Sequence, residues 1–149
     1  MRATRFVIIM LAMGVLVACD SRLSAARRSV ERFHELADTN QQAEILQMFY
    51  LQRTPITNFD QYMGRRTALL GRLEQTSEVK YEEVDAGSFP VIALHYNSTF
   101  ERGAALEQFF FRVDDDGTPR LTGYAFHQGK RMECPVLGTC RLMDTPNRG

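Results

Sequence analysis

The chain has 149 residues, with 18 basic and 18 acidic side chains. This length suits one domain with its own hydrophobic core. The balanced charge lacks the basic excess of a nucleic-acid-binding protein, and the chain has neither an internal repeat nor a low-complexity tract. We therefore expect a single domain and no nucleic-acid partner.

The N-terminus has the pattern of a secretory signal peptide. Arg2 and Arg5 precede residues 6–18, which are all apolar apart from Gly14. A helix over these residues is about 20 Å long, which is short against a hydrocarbon core of about 30 Å. A basic start followed by a short apolar segment is typical of a leader that is removed. The sequence predicts a signal peptide over residues 1–18; the alternatives are a transmembrane anchor and an ordinary secretory signal followed by a chance cysteine.

The end of this segment, Leu16-Val17-Ala18-Cys19, resembles the bacterial lipobox. In lipoproteins with this motif, a peptidase cuts before the cysteine and the cysteine thiol carries diacylglycerol. The resemblance implies lipidation at Cys19, a tether over residues 19–24, and a periplasm-facing position on a membrane. Asp20 weakly favours the inner membrane, and the outer membrane stays open. Removal of two basic residues leaves 16 basic and 18 acidic side chains, a mature charge of −2.

Two helices are predicted before residue 52. Ser24 is a favoured N-cap residue for the first helix, which ends near Ala37. Its apolar stripe comprises Ala26, Val30, Phe33 and Ala37. Thr39 and Gln42 have the spacing of a capping box that opens the second helix. The face of this helix includes Ile45, Met48, Phe49 and Leu51.

A third helix follows Pro55, with Thr57 and Asp60 at cap spacing. It ends near Leu70, and Gly71 is a suitable terminator. The residues expected to be buried are Phe59, Tyr62, Met63, the stem of Arg66, and Leu69 or Leu70.

From residue 73 the spacing of apolar residues changes from helical to alternating, which predicts strands. Four strands are expected over residues 73–84, 90–101, 104–113 and 120–127. Val79 and Tyr81 are assigned to one face of the first strand. Asp116-Gly117 supplies the turn chemistry of a hairpin between the last two strands.

A run of helices followed by a run of strands is the α+β pattern. We expect the helices to pack on one face of a curved, four-stranded antiparallel sheet. Apolar residues also occur on the other face, where either the C-terminal tail or another subunit would cover them. These residues are Val91, Leu106, Phe110 and Leu121.

Two segments, 59–73 and 91–127, resemble a family of small secreted bacterial proteins with a nuclear-transport-factor-2-like, or cystatin-like, domain. The residues that carry the resemblance are Arg66, Leu70, Gly71, Tyr96, Ser98, Phe100, Asp116, Gly117, Leu121, Gly123 and Tyr124. It implies a cone-shaped α+β domain over residues 25–127, followed by a tail over 128–149. The family often has a tryptophan in the third helix, which this chain lacks, and no catalytic motif comes with it.

Cys134 and Cys140 remain as a pair once Cys19 is assigned to lipid. They flank a loop with Pro135 and Gly138, and an oxidising compartment permits a disulfide there. A redox or metal-binding pair is the alternative, although five intervening residues do not match the two-residue spacing of such sites.

The interior of a cone can hold a small apolar ligand. The residues assigned to this possible pocket are Tyr96, Phe100, Glu107, Phe109, Phe111, Tyr124 and Phe126. The three histidines are read as exposed or structurally satisfied. The Asp114-Asp115-Asp116 run is read as a solvated hairpin turn, because it lacks the ligand spacing of a calcium loop. No catalytic residue, metal site or cofactor is assigned.

These features together predict a non-enzymatic, membrane-anchored periplasmic module that binds a protein, itself, or a ligand in the cone. An envelope-assembly accessory and an inhibitor or immunity lipoprotein are two versions of this role. The alternatives are a small enzyme that uses the cone as its active site, which would need a polar group such as Tyr96, Tyr124 or Glu107 inside it, and a purely structural lipoprotein.

Overall fold

The computed structural model describes residues 3–50, 58–85, 87, 89–136 and 138–145, with side chains from residue 21 onward. The elements in chain order are α1 (Ala3–Asp38), α2 (Gln42–Gln47), α3 (Phe59–Leu70), β1 (Leu73–Asp85), β2 (Pro90–Phe100), β3 (Gly103–Val113), β4 (Pro119–Gln128), β5 (Lys130–Glu133) and β6 (Arg141–Asp144).

The first four strands form one antiparallel sheet in the order β1-β2-β3-β4. Its register sets Tyr96 of β2 opposite Glu107 of β3, and Glu107 opposite Phe126 of β4. The helices pack on the face of the sheet that carries these residues. The predicted α+β class, with helices against a four-stranded antiparallel sheet, is therefore confirmed.

The core lies between the helices and this face of the sheet. Alternate residues of the strands point into it, as the period of two requires. The buried residues of the main cluster are Ala26, Val30, Phe33, Leu36, Ala37, Ile45, Phe59, Met63, Ile92, Leu94, Tyr96, Phe109, Phe111 and Leu121. A smaller cluster of Leu70, Phe100 and Ala105 adjoins the end of α3.

The helix starts differ from those predicted. The first helix passes through Ser24 without a break, because the residues on both sides of Ser24 are compatible with a helix and no cap is needed there. The Thr39 hydroxyl donates to the Glu35 carbonyl 2.8 Å away, so Thr39 closes α1 instead of opening α2. The N-cap position of α2 is Gln41, without a side-chain cap bond.

The third helix starts after Asn58, whose φ of 67° places it in the left-handed region; Thr57 and Leu51 lie outside the described residues. Gly71 ends this helix with a φ of 75°, and its N–H donates to the Thr67 carbonyl. The predicted terminator is therefore confirmed, and glycine suits the position because a positive φ costs it little.

The described strands contain three register shifts, and two of them alter the predicted faces. The register shifts between Glu78 and Lys80, so Val79 is an extra residue and does not share a face with Tyr81 by simple alternation. A second shift follows Phe110. It turns Leu121 into the core, where it is fully buried, and the assignment of Leu121 to the outer face was wrong.

A second, two-stranded sheet of β5 and β6 forms from the C-terminal tail. It lies on the sheet face away from the helices. The Asn97 side chain donates to the Met132 carbonyl and accepts from the Met132 N–H, both at 2.8 Å. Leu106 on this face is 2% exposed. Of the two covers predicted for this face, the structure shows the C-terminal tail over part of it.

Candidate functional site

The residues assigned to a cone pocket lie together on the helix-facing side of the sheet. Their rings contact one another and α1: the Phe33 ring lies 4.5 Å from that of Tyr124 and 5.2 Å from that of Phe109, centroid to centroid. Phe100, Glu107, Phe109 and Phe111 are each at most 1% exposed. These residues therefore belong to the core, and a ligand pocket among them stays a prediction.

Glu107 is the polar centre of this interior. Its carboxylate is fully buried and accepts four hydrogen bonds. Oε2 accepts from the Ser98 hydroxyl at 2.7 Å and lies 2.9 Å from His34 Nε2. Oε1 accepts from the Tyr124 hydroxyl at 2.6 Å and from Arg66 Nη2 at 3.3 Å. Since a buried charge is tolerated only when it is paired, these partners explain why a glutamate can occupy the core.

Arg66 brings the compensating charge from α3. The sequence predicted burial of its stem alone, whereas the whole residue is 1% exposed. Its Nε donates to the Tyr124 hydroxyl at 2.9 Å, and its guanidinium carbon lies 4.9 Å from the centroid of the Phe100 ring. This position over an aromatic face adds a cation–π attraction.

His34 joins the cluster from α1 and is 5% exposed. The prediction of a structurally satisfied histidine fits this position, but its pairing with Glu107 was not predicted. The burial of His34 could have been predicted from helical spacing, because His34 follows Val30 by four residues and lies on the same stripe as Ala26. The partner, 73 residues away in the sequence, depends on strand register and could not be identified.

The pKa values follow from this arrangement. Burial alone would raise the pKa of Glu107, but the His34 hydrogen bond, the charges of His34 and Arg66, and the Tyr124 hydrogen bond outweigh it and lower the pKa to about 2. Burial first, and then the neighbouring Glu107 carboxylate, raises the pKa of Tyr124 well above its usual value. Near neutral pH the cluster therefore contains a carboxylate and a neutral phenol.

A second ion pair lies beside this cluster, between α1 and β1. Arg27 donates to both oxygens of Glu78, at 2.7 and 2.6 Å, and Tyr96 donates to Oε2 of Glu78 at 3.2 Å. Burial, followed by the Glu78 charge, raises the pKa of Tyr96. Tyr96 thereby links the core to the first strand.

On the opposite face, a row of polar side chains crosses the sheet. His95 Nε2 lies 3.1 Å from Glu82 Oε1, and His95 Nδ1 lies 3.1 Å from Gln108 Nε2. The Gln108 amide oxygen lies 3.0 Å from His127 Nε2. Because residues alternate between faces, His95 and Glu107 point in opposite directions and do not form a catalytic pair.

A surface depression of about 350 Å³ lies between α1, α2 and the start of β4. Its lining includes Arg32, Glu44, Met48 and Arg120, and Arg32 forms an ion pair with Glu44. None of the residues assigned to the cone pocket lines it.

The structure joins Cys134 to Cys140 by a disulfide, as predicted.

The backbone of Cys19 belongs to α1, but its side chain lies outside the described residues, so lipidation stays a prediction. Within the described part of the chain, no helix is long and apolar enough to cross a membrane, and no three potential metal ligands cluster.

Comparison of the chain with protein-family models, with curated proteins and with solved structures found no significant match.

Proposed function

We propose that the protein is a non-enzymatic lipoprotein of the bacterial cell envelope, anchored through Cys19 and facing the periplasm, whose folded domain binds another protein. The lipobox-like Leu16–Cys19 segment after a basic and apolar leader supports the anchor. A mature charge of −2 argues against nucleic acid as the partner.

The continuity of α1 is the observation that carries this proposal. One helix extends from Ala3 to Asp38 and contains both Cys19, the proposed site of the lipid, and residues that pack on the sheet. After cleavage before Cys19, the lipidated residue would lie six positions before Ala25, which is buried. At 1.5 Å per residue this is about 9 Å. The acyl chains would therefore hold the domain directly against the bilayer, with Asp20 favouring the inner membrane and the outer membrane as the other choice.

Binding, rather than catalysis, is supported by the mutual pairing of the buried polar groups. The polar groups around Glu107 are hydrogen-bonded to one another, and the Phe33 and Tyr124 rings pack beside them. The arrangement of helices over an antiparallel sheet is compatible with the nuclear-transport-factor-2-like or cystatin-like domain that the sequence resembles. An envelope-assembly accessory and an inhibitor or immunity lipoprotein are both consistent with such a module.

The alternative is a small enzyme that uses the interior as its active site. The convergence of His34, Arg66 and Tyr124 on Glu107 favours it, since a carboxylate and a histidine are common acid–base groups. It would require an opening that admits a substrate to these buried groups.

Site-specific photocrosslinking in intact cells tests the binding function. A photoreactive phenylalanine would be placed singly at Tyr81, Asp115 and Leu142, exposed positions on three surfaces. The proposal predicts one discrete adduct with the same envelope protein from one surface. Absence of any adduct from these surfaces, together with a strictly monomeric purified protein, would contradict it.

Labelling with radioactive palmitate tests the anchor separately. Wild type should be labelled and Cys19→Ala should not, whereas equal labelling of the two would exclude acylation at this residue.

A further inference from the structure

The two edges of the four-stranded sheet differ in how far other parts of the chain cover their backbone groups. At the β4 edge, the Leu121 N–H donates to the Met48 carbonyl and the Leu121 carbonyl accepts from the Tyr50 N–H, each at 2.8 Å. Further along this edge, the Phe126 N–H donates to the Tyr62 hydroxyl at 3.3 Å. The segment after α2 and a side chain of α3 thus cover the β4 edge.

In the described part of the chain, hydrogen-bonded cover of the β1 edge is confined to its first residue, where the Leu73 N–H donates to the Asp38 carboxylate at 3.2 Å. Among the described residues, β1 pairs with β2 and with no other strand. It has 13 residues and is therefore about 43 Å long. Tyr81 is 53% exposed and Val84 is 43% exposed. An uncovered edge strand presents a row of backbone donors and acceptors to which another extended chain can add.

The charges of β1 are predominantly acidic. Its five carboxylates and one ammonium give it a formal charge of −4; they are Glu74, Glu78, Glu82, Glu83, Asp85 and Lys80. Arg27 neutralises Glu78, and Lys80 pairs with Glu82. Glu74 and Glu83 are exposed and form no ion pair with the described residues. Uncompensated negative charge therefore lies at both ends of the strand.

Charges and bulges on an edge strand commonly protect it from pairing. The protection that charge gives depends on the charge of the approaching strand. A second copy of β1 would bring two acidic strands together, and like charges directly opposite one another are destabilising. A basic strand would gain from the same carboxylates. The edge is thus disfavoured for self-association and suited to a chain of opposite charge.

We infer that the exposed edge of β1 is the docking surface of the module, and that its occupant is an extended, lysine- or arginine-rich segment of a partner protein that adds as a fifth strand. Backbone hydrogen bonds supply the pairing, and Glu74 and Glu83 select for basic side chains. This inference rests on the proposed binding function and specifies the class of partner.

A displayed library of random dodecapeptides, selected against the full chain in detergent, tests the inference. Selected peptides should carry lysine or arginine at alternating positions and contain no proline. On binding of a selected peptide, amide hydrogen exchange in β1 should slow. Two versions of the same peptide, methylated at the odd or at the even backbone nitrogens, keep its charge. The version whose methyl groups face β1 loses its donors to that strand and should bind on the order of tenfold more weakly than the other, or worse.

Charge variants provide the matched comparison. Glu74→Lys with Glu83→Lys should weaken peptide binding by about tenfold or more. Asp60→Lys with Asp115→Lys, which makes the same change in charge at exposed positions outside β1, should leave binding within about threefold.

Three results would overturn the inference: selection of neutral or acidic peptides, equal binding of the two methylated peptides, or slowed exchange elsewhere than in β1. Dimerisation of the protein through β1 in sedimentation experiments would also overturn it, since the occupant would be a second copy. A crosslinked partner found in cells at Asp115 or Leu142 alone would leave the proposed function standing and refute the β1 edge as its surface.

Discussion

Replacing Glu107 by glutamine should cost much of the stability of the domain. The substitution keeps the shape of the side chain but removes the negative charge, and it leaves Arg66 buried at 1% exposure without its counter-charge. Removing one partner of a buried ion pair costs about 3–5 kcal/mol, against a total of about 5–15 kcal/mol for a domain. For a chain of this length, the melting temperature should fall by about 10–20 °C.

The double variant Glu107→Gln with Arg66→Met separates pairing from packing. Replacing the arginine by an apolar side chain removes the unpaired charge, so the two effects should not add. The loss in the double variant should be smaller than the sum of the single losses by about 2 kcal/mol or more. Glu82→Gln is the matched control, because its side chain is 41% exposed and an exposed ion pair contributes at most about 1 kcal/mol.

The assay is urea and thermal unfolding of the chain from residue 20 onward, followed by far-ultraviolet circular dichroism. A loss of stability in Glu107→Gln no larger than that in the Glu82→Gln control would show that the buried ion pair does not stabilise the domain. Strict additivity of Glu107→Gln and Arg66→Met, within about 0.5 kcal/mol, would show that the two side chains are not coupled.

Three further predictions concern stability. The pKa of Glu107 is lowered from 4.5 to about 2 on folding, so its contribution to stability is complete above about pH 4.5 and is lost as the pH falls towards 2. An acid titration should show a loss of about 3 kcal/mol in the free energy of unfolding of the wild type over this window. A difference in stability between wild type and Glu107→Gln that does not change with pH would contradict this prediction. Gly71→Ala forces a residue with a Cβ into φ 75° and places that Cβ 2.7 Å from the Glu101 carboxylate, so we expect a loss of about 1–3 kcal/mol in urea unfolding, and an unchanged midpoint would refute the strain. Cys134→Ser removes the disulfide to Cys140 and should cost about 2 kcal/mol. Amide exchange in the β5–β6 hairpin should become faster in the variant than in the wild type, and the increase should exceed that in β2. Equal exchange rates of the hairpin in wild type and variant would show that the disulfide does not stabilise it.

The sequence predicted the strands and the helix-facing side of the sheet more accurately than the ends of the helices. The strand at residues 90–101 was recognisable because β2 is central and most of its residues are buried, and the Asp116-Gly117 turn indicated the hairpin between β3 and β4. The cap assignments at Ser24 and Thr39 failed because a serine or threonine hydroxyl can also lie within a helix or close one.

The β5–β6 hairpin was missed because each strand has only four residues, too few for a period to be recognised. Leu121 was assigned to the wrong face because a bulge in an otherwise regular ladder leaves no clear mark in the sequence.

The polar cluster was predicted only in part. Glu107 and Tyr124 were placed in the interior from alternation and from the family resemblance. Their pairing with His34 and Arg66 joins residues from two helices and two strands, and only the three-dimensional arrangement decides which of the many charged residues meet. The prediction of an aromatic interior was sound because large apolar residues have few alternatives to burial.

The mass of the mature protein extracted from cell envelopes is the decisive test of the lipid anchor. The mature chain should begin at Cys19 and carry the added mass of diacylglycerol, with or without a third acyl chain on the new amino group. A chain that still begins at Met1, or one that begins at an unmodified Cys19 in the soluble fraction, would contradict it.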